Sequence, residues 1–275
     1  MNKGKGEREK YMEISVILAY YNNLGNLELM LEAFEKQTFR DFEVIVAEDD
    51  HNPETESFLN KRRPLYHFPI LHVNQAEKKG FRKTTMLNKA IRESRGRTLV
   101  FIDGDCIPHK SYLMQHQKHS KPGVYNYGRR VLLGEKFTHH LKRKKSFSSL
   151  HFFSLLFSDS SLIKEGIYWP CFGLHPKNRK LSGCNWGIQK EDILSVNGFD
   201  EDYVRPGVGE DFDVEWRLKA AGVRKRSIRN KANVYHLYHP KNSTTEDGRH
   251  NEALMEKKME ANRVRCLNGL IPLNE

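Results

Sequence analysis

The feature that most constrains the fold is an alternation of short apolar runs and helix-patterned stretches over the first 110 residues. The apolar runs are rich in β-branched residues, as buried strands are; they cover 13–21, 41–50, 67–73 and 97–103. Helical patterns separate them at 26–37, 54–63 and 81–94. The sequence therefore predicts an α/β fold with a mostly parallel central sheet flanked by helices.

The pattern is less regular after residue 110. Helices are predicted at 109–120 and 211–222, the second with Gly222 as its C-cap, and a surface helix at 250–270. Strands are predicted at 123–133 and 232–240. A chain of 275 residues with 38% hydrophobic content is long enough to form one compact unit.

Composition restricts the location and the partners of the chain. The polar, basic start lacks the apolar region of a secretory signal, so none is expected. The longest apolar run, 150–157, is shorter than the roughly 20 residues of a membrane span. Four scattered cysteines without a CxxC pair favour reduced thiols in the cytoplasm. The formal charge of +11 indicates an anionic partner, which could be nucleic acid, a membrane surface or a phosphorylated small molecule.

Carboxylates stand where two of the predicted strands end. Asp103 and Asp105 follow the run 97–103 with one glycine between them, and Glu48 and Asp49 end an earlier run. In parallel sheets ligands bind beyond the carboxyl ends of the strands, and paired carboxylates suit a divalent cation beside phosphates. The alternatives are an ordinary Asp-Gly turn and an acidic turn before a helix.

Two later segments carry further candidates. His236 and His239 lie in a strand pattern, where positions i and i+3 face opposite sides, so one metal ligand is predicted. Gly209 leads into Glu210 and Asp211 at a predicted helix start. These acids either complement the helix dipole or supply a general base at a pocket.

A basic run at 142–145 precedes the apolar stretch 150–157. Such a run is most often a solvated face, and such an apolar stretch is most often core. Together they could also form a peripheral contact with anionic membrane or with a lipid-linked acceptor.

The ordered combination of these segments resembles the family 2 glycosyltransferases of GT-A fold, and more closely a bacterial branch with a galactosyltransferase-like C-terminal motif. The matching stretches are VILAYYNN, EVIVAEDD, LVFIDGDCIP, SGCNWGIQKEDILSVNGFDEDY, GVGEDFDVEWRLKAAG and VYHLYHP. They span roughly residues 12–240. The resemblance implies a nucleotide-sugar-binding half at 12–110, an acceptor-binding and catalytic half at 111–240, and a helical tail at 241–275.

The resemblance also implies residue roles. Asp49, with Glu48, would receive uracil, and Asp103 would lie near the ribose. Asp211 would be the catalytic base and Glu210 would hold the acceptor. The full set implied comprises, for the donor, Ala19, Tyr21, Glu48, Asp49, Arg82, Lys83, Asn88, Asp103 and Gly104; for the metal, Asp105 and His236, with His239 as a less certain member; and for the acceptor, Asn185, Trp186, Gly209 and Glu210.

The chain departs from the family pattern at several positions. The usual arginine-asparagine pair is Leu87-Asn88, so Arg82 and Lys83 are expected to supply positive charge to the diphosphate. The residues after the first Asp pair differ, since Asp50-His51 replaces glycine-serine, and the tryptophan that usually precedes the Gly-Glu-Asp motif is absent.

The resemblance thus implies a metal-dependent, inverting transfer from a UDP-sugar to a saccharide or lipid-linked saccharide, with Mn2+ or Mg2+ as cofactor. The expected role is synthesis of a bacterial surface polysaccharide, by a cytoplasmic protein that could contact the plasma membrane peripherally. Two alternatives stay open, a nucleotidyltransferase acting on sugar phosphates and a catalytically inactive relative that binds sugar or nucleotide. No nucleic-acid recognition motif is present, so nucleic acid is not expected as a partner.

Overall fold

The computed structural model describes residues 12–171, 180–207, 209–240 and 244–273. The basic start of the chain and parts of the tail predicted at 241–275 lie outside these residues. Within them a seven-stranded sheet has the strand order β3-β2-β1-β4-β8-β6-β9. Its strands are β1 Met12–Tyr20, β2 Phe42–Glu48, β3 Ile70–Asn74, β4 Gly96–Asp103, β6 Val124–Tyr127, β8 Trp186–Gln189 and β9 Arg224–Ser227.

The first four strands are mutually parallel, as the sequence predicts. Strand β8 runs antiparallel to both β4 and β6, which makes the sheet mostly rather than wholly parallel. The side chains of β1 alternate between two apolar layers, with Val16 in one and Ile17 in the other. Because both faces are buried, the strand reads as an uninterrupted apolar run.

Helices cover both faces of this sheet. Helix α1 Leu24–Glu35 packs Leu27 and Phe34 into one layer, while α3 Lys83–Glu93 packs Met86 and Ile91 into the other. The other helices are α2 Pro53–Arg62, α4 Tyr112–His119, α5 Glu135–Lys144, α6 Phe152–Leu156, α7 Lys190–Ser195, α8 Glu210–Ala220 and α9 Thr245–Glu260. Short 3-10 helices lie at Arg63–Leu65 and Ile163–Gly166. None of the helices among the described residues is long and apolar enough to cross a bilayer.

A three-stranded sheet of order β5-β10-β7 lies beside the large one. It consists of β5 Cys106–Pro108, β7 Arg130–Leu132 and β10 Val234–His236. The prediction of one strand over 123–133 is wrong, because β6 and β7 belong to different sheets. Asn185 causes the break: its backbone carbonyl accepts from the Gly128 amide at 3.0 Å, and its Nδ2 donates to the Arg129 carbonyl at 2.9 Å.

Cap residues determine where α8 ends and where α9 begins. Gly222 has φ +83°, the left-handed conformation expected of the predicted C-cap after α8. The tail helix was placed too late at 250–270, because Thr244 and Asp247 form a capping box that starts α9 at Thr245. Residues after Glu260 leave the helix, and Asn262 adopts φ +49°.

Candidate active site

A cavity of about 470 Å³ opens at the carboxyl ends of β1, β2 and β4. This edge of the sheet is where parallel α/β folds bind ligands. Six of the nine residues predicted for the donor line the cavity: Ala19, Tyr21, Asp49, Lys83, Asp103 and Gly104. Asp105 and His239, predicted for the metal, line it too, and Lys78 is a wall residue that the sequence did not single out.

Asp49 lines the cavity and is fixed there by two donors to the same oxygen. Gln75 Nε2 and the Arg82 backbone amide both donate to Asp49 Oδ1, each at 2.8 Å. Burial raises the pKa of Asp49 to about 6, although these hydrogen bonds favour the ionised form. Arg82 therefore contributes its backbone N–H here, while its guanidinium donates to the Phe81 carbonyl.

Glu48 does not reach the cavity. Its side chain is fully buried, accepts from Thr55 Oγ1 at 2.6 Å, and lies 2.8 Å from His72 Nε2. These contacts hold β2, β3 and α2 together. The role implied for Glu48 beside uracil therefore finds no support in its position.

Three further predicted residues make structural contacts away from the large cavity. Asn88 is buried and exchanges hydrogen bonds with the Phe199 backbone at 2.8 and 2.9 Å. Asn185 donates to the carbonyls at the break between β6 and β7, as described above. Trp186 is fully buried and stacks on Phe101, with ring centroids 4.4 Å apart. None of these three side chains lines the 470 Å³ cavity. Trp186 borders a much smaller cavity beside Asp211.

Asp105, His236 and His239 meet beside the end of β4, which is separated from β2 and Asp49 by β1. His236 Nε2 lies 3.6 Å from Asp105 Oδ1, and His239 Nε2 lies 3.2 Å from Asp105 Oδ2. One ligand atom from each lies within 4.8 Å of the other two. The expectation that the two histidines face opposite sides does not hold, because β10 ends at His236 and the alternation of a strand does not extend to His239.

The chemistry of this group suits a divalent transition metal. One carboxylate and two imidazoles fit Mn2+ better than Mg2+, which prefers oxygen ligands almost exclusively. Burial lowers the pKa of His236, which favours the neutral imidazole that binds metals. The antiparallel register of β5 and β10, which pairs Cys106 with His236, brings the late histidines against the Asp103–Asp105 turn.

Lys83 joins the two halves of the site. Its Nζ lies 3.3 Å from Asp103 Oδ1 and 3.4 Å from Glu210 Oε1. Glu210 is buried, and burial raises its pKa to about 7 against the opposing effect of Lys83. Its other oxygen, Oε2, is buried without a hydrogen-bond partner among the described residues. A buried acceptor atom of this kind is stabilised when a ligand hydroxyl donates to it.

Asp211, at the start of α8, lies close to Asp103. The two residues line a water-sized cavity of about 10 Å³ together with Lys83 and Trp186. The Gly183 amide donates to Asp211 Oδ2 at 2.7 Å. Burial raises the pKa of the Asp211 carboxyl above its ordinary value, which makes it a stronger base.

Sequence reasoning did not single out Gly183, Gln75 or Arg130 as site residues. Gly183 lies in the recognised stretch that begins SGCNWG, and its position in that motif was the available signal. Gln75 lies just after β3, where the carboxyl-end rule would have pointed to it. Arg130 carried no signal, because its place beside the site depends on the break between β6 and β7.

Comparison with known protein families identifies the family of this chain. The model for glycosyl transferase family 2 matches residues 15–175, and a model described as the N-terminal domain of galactosyltransferase matches residues 169–240. The chain belongs to glycosyltransferase family 2. The resemblance stated from the sequence is confirmed.

Two relatives with curated names are glycosyltransferases. YfnE of Bacillus subtilis (strain 168), an uncharacterized glycosyltransferase, is 26% identical over 96% of this chain and 74% of its own length. AglE of Haloferax volcanii is 28% identical, over 36% of this chain and 33% of its own. This family 2 glycosyltransferase is therefore similar to YfnE over nearly the whole of this chain, and to AglE over about a third of it.

Solved structures confirm the GT-A fold. The mannosyltransferase PcManGT from Pyrobaculum calidifontis, in complex with GDP-Man and Mn2+, matches with a TM-score of 0.59 and 17% identity, over 92% of this chain and 65% of that one. TarS 1-349 of S. aureus, in complex with UDP, matches with a TM-score of 0.60 and 16% identity, over 92% and 68%. This chain therefore spans less than two thirds of the mannosyltransferase.

Proposed function

We propose that this family 2 glycosyltransferase transfers a sugar from a UDP-sugar to a saccharide acceptor, with a divalent metal and with inversion at the anomeric carbon. The observation that carries the proposal is the order of groups across the site. Asp49 follows β2 and Asp105 follows β4, with β1 between these strands; His236 and His239 meet Asp105, and Lys83 links Asp103 to Glu210 near Asp211. This order suits a nucleotide, a diphosphate and an acceptor hydroxyl in turn.

The geometry at Asp49 favours uracil over guanine. Both hydrogen bonds to Asp49 end on Oδ1, which leaves Oδ2 for a ligand. Uracil presents one donor, N3–H, whereas guanine presents two neighbouring N–H donors that pair best with both oxygens of a carboxylate. A single available oxygen therefore matches UDP better than GDP, the nucleotide of the sugar bound to the mannosyltransferase above.

The chain's own residues account for the proton transfer. Asp211, held by the Gly183 amide, accepts the proton of the acceptor hydroxyl as that oxygen attacks the anomeric carbon. Glu210 Oε2 accepts a hydrogen bond from a second hydroxyl of the acceptor. Lys83 pairs with both Asp103 and Glu210 and thereby orders the two carboxylates. A metal held by Asp105, His236 and His239 would offset the charge of the departing nucleoside diphosphate.

Family membership favours this activity over nucleotidyl transfer. A nucleotidyltransferase would catalyse attack on phosphorus rather than on an anomeric carbon. It would not need a base at the acceptor hydroxyl of a sugar transfer. An inactive sugar-binding relative would keep the cavity but would not need Asp211 within reach of the acceptor. Product analysis and turnover distinguish these two alternatives from the proposed enzyme.

We also propose a peripheral membrane contact on one side of the protein, which would place a lipid-linked acceptor near the site. Helix α5 carries Lys142, Arg143 and Lys144 in its last turn, and Phe157 nearby in the chain is 87% exposed. The Tyr238 amide donates to Thr138 Oγ1 of α5 at 2.9 Å, so this surface adjoins the loop that carries His239. Basic and apolar side chains together suit an anionic membrane. The expected setting is the cytoplasmic face of a bacterial membrane during surface polysaccharide synthesis.

Nucleotide-sugar screening with Mn2+ and Mg2+, scored by nucleotide release, tests the proposed activity and identifies the donor. With that donor, Asp211→Asn should lower kcat by about 10² to 10⁴, the range for loss of a general base, and leave UDP affinity unchanged. The matched control is Glu191→Gln, an exposed acid in the first turn of α7, which should retain full turnover. An Asp211→Asn enzyme that turns over within a few-fold of wild type would show that Asp211 is not the base.

A further inference from the structure

Arg130 is a charged residue next to the site for which the proposed reaction gives no role. It begins β7, whose parallel register with β10 pairs Arg130 with Val234 and Leu132 with His236. Residues two apart on a strand share a face, so the side chains of Arg130 and His236 project from the same side of the small sheet. The guanidinium Nη1 lies 3.2 Å from Cys184 Sγ and 3.4 Å from Ser182 Oγ.

Arg130 is half-buried without a carboxylate partner. Among the described residues no acidic oxygen lies within 4.0 Å of its guanidinium, whereas buried Arg217 pairs with Asp213 at 2.7 Å. Its hydrogen-bond partners in that part of the chain are a thiol and a hydroxyl, both reached by Nη1, which leaves Nε and Nη2 available. Asp103 and Asp211 favour its positive charge from beyond that distance. The N–H groups of Nε and Nη2 still lack an acceptor among the described residues, and a buried donor is stabilised when an anion accepts from it.

The contacts of Arg130 place it on the acceptor side of the site. Ser182 and Cys184 flank Gly183, the residue whose amide holds Asp211. Cys184 Sγ lies within 4.8 Å of a carboxylate oxygen of Asp103. Arg130 is not among the residues that line the 470 Å³ donor cavity. An anion at Arg130 would therefore lie near Asp211, where the proposed function places the acceptor hydroxyl.

We propose that Arg130 is an anion-binding residue of the acceptor site, and that the acceptor carries a phosphate or carboxylate group close to its reactive hydroxyl. A guanidinium presents parallel N–H donors that match the paired oxygens of either group. This inference rests on the proposed function for the position of the acceptor. It adds the chemical class of the acceptor, which neither the family nor the donor cavity determines.

Calorimetry on the full chain with Mn2+ and saturating UDP tests the proposal. The probes are methyl phosphate, glucuronate and the neutral methyl glucoside; the first two distinguish a phosphate from a carboxylate. We expect one anion to bind more tightly than the glucoside. Arg130→Gln should weaken that anion at least about tenfold and leave UDP affinity within about twofold. Arg130→Lys, which keeps the charge without the fork, should show an intermediate loss.

Arg129→Gln is the matched control, since Arg129 adjoins Arg130 in the chain and should leave anion binding unchanged. Loss of UDP affinity in Arg130→Gln would assign Arg130 to the donor diphosphate and overturn the proposal. Equal affinity of Arg130→Gln and wild type for the anions would also overturn it. Melting curves identify any variant that does not fold. If Arg130→Gln does not fold, the anion affinity of Arg130→Lys relative to wild type decides. Failure of the wild-type chain to bind UDP would instead overturn the proposed function; the anion titrations without UDP would still decide for or against Arg130.

Discussion

The backbone amide of Gly183 donates a 2.7 Å hydrogen bond to Oδ2 of Asp211. The same closeness excludes a side chain at position 183, because a Cβ there would lie 2.6 Å from Asp211 Oδ1. Glycine is thus required by the approach of a carboxylate rather than by backbone conformation. The contact orients the proposed base without using up both of its oxygens.

Gly183→Ala should therefore displace Asp211 and reduce turnover while preserving the donor site. A misplacement of about 1 Å at a reacting group can cost about 10²-fold in rate. We expect kcat for sugar transfer to fall by that order and the affinity for UDP with Mn2+ to stay near wild type. Gly248→Ala is the control, because a Cβ at Gly248 meets nothing within 4 Å. Unchanged kcat in Gly183→Ala would mean that the position of Asp211 does not limit the reaction.

Both histidines near Asp105 should contribute to metal-dependent donor binding. The Nε2 atom of each histidine lies within 3.6 Å of an Asp105 oxygen. We therefore expect His236→Ala and His239→Ala each to weaken UDP binding in the presence of Mn2+ by at least about tenfold. Binding without metal should change little. His140→Ala, an exposed histidine of α5, serves as the control. A loss confined to His236→Ala would restore the single-histidine site that the strand pattern predicted.

The sequence predicts the first half of this fold well because the pattern there follows from burial. Strands β1 to β4 are covered on both faces, so apolar runs mark them, and the rule for carboxyl ends then places Asp49, Asp103 and Asp105 at one edge. The small sheet is predicted only in part: the strand pattern at 232–240 contains β10, whereas β5 is not predicted and β7 is not separated from β6. Its strands are three residues long, and their pairing depends on contacts between distant parts of the chain.

The predicted site residues that lie away from the large cavity share one physical cause. Glu48 and Asp49 are adjacent acids, and only the packing of Thr55 and His72 against Glu48 decides which of the two faces the cavity. Likewise Asn88 and Asn185 are buried polar side chains whose hydrogen bonds to distant backbone groups could not be read from local patterns. A motif locates the neighbourhood of a site, whereas side-chain direction depends on tertiary contacts.

Asp49→Asn should stabilise the fold at high pH while weakening donor binding. Because burial raises the pKa of Asp49 to about 6, the folded state holds its proton more tightly than the unfolded state. The resulting cost is absent below the ordinary carboxyl pKa and complete above about pH 6. Asn removes this cost, so the free energy of unfolding should rise by about 1 to 2 kcal/mol at pH 8 and stay unchanged near pH 4.

Urea unfolding of wild type and Asp49→Asn at the two pH values measures that difference, and UDP titration at pH 8 should show the accompanying loss of affinity. Gln75 Nε2 and the Arg82 amide can still donate to the side-chain carbonyl oxygen of the Asp49→Asn variant, so the wall of the cavity should stay intact. Equal stability gains at pH 4 and pH 8 would indicate that ionisation of Asp49 is not their source.

Neutralising the basic end of α5 should reduce membrane binding without affecting the chemistry. Lys145 is a poor choice for substitution because it pairs with Glu28 at 2.6 Å and adopts φ +45°, so the test variant changes Lys142, Arg143 and Lys144 to Gln. Each cation near an anionic surface contributes about 1 kcal/mol. We therefore expect a large drop in sedimentation with phosphatidylglycerol vesicles, little binding of either form to phosphatidylcholine, and unchanged donor hydrolysis.

The control neutralises three exposed cations elsewhere, Lys61, Lys118 and Arg249. Equal losses in both variants would show that net charge alone attracts the protein, and no loss in either would leave the 142–157 surface as an ordinary solvated face.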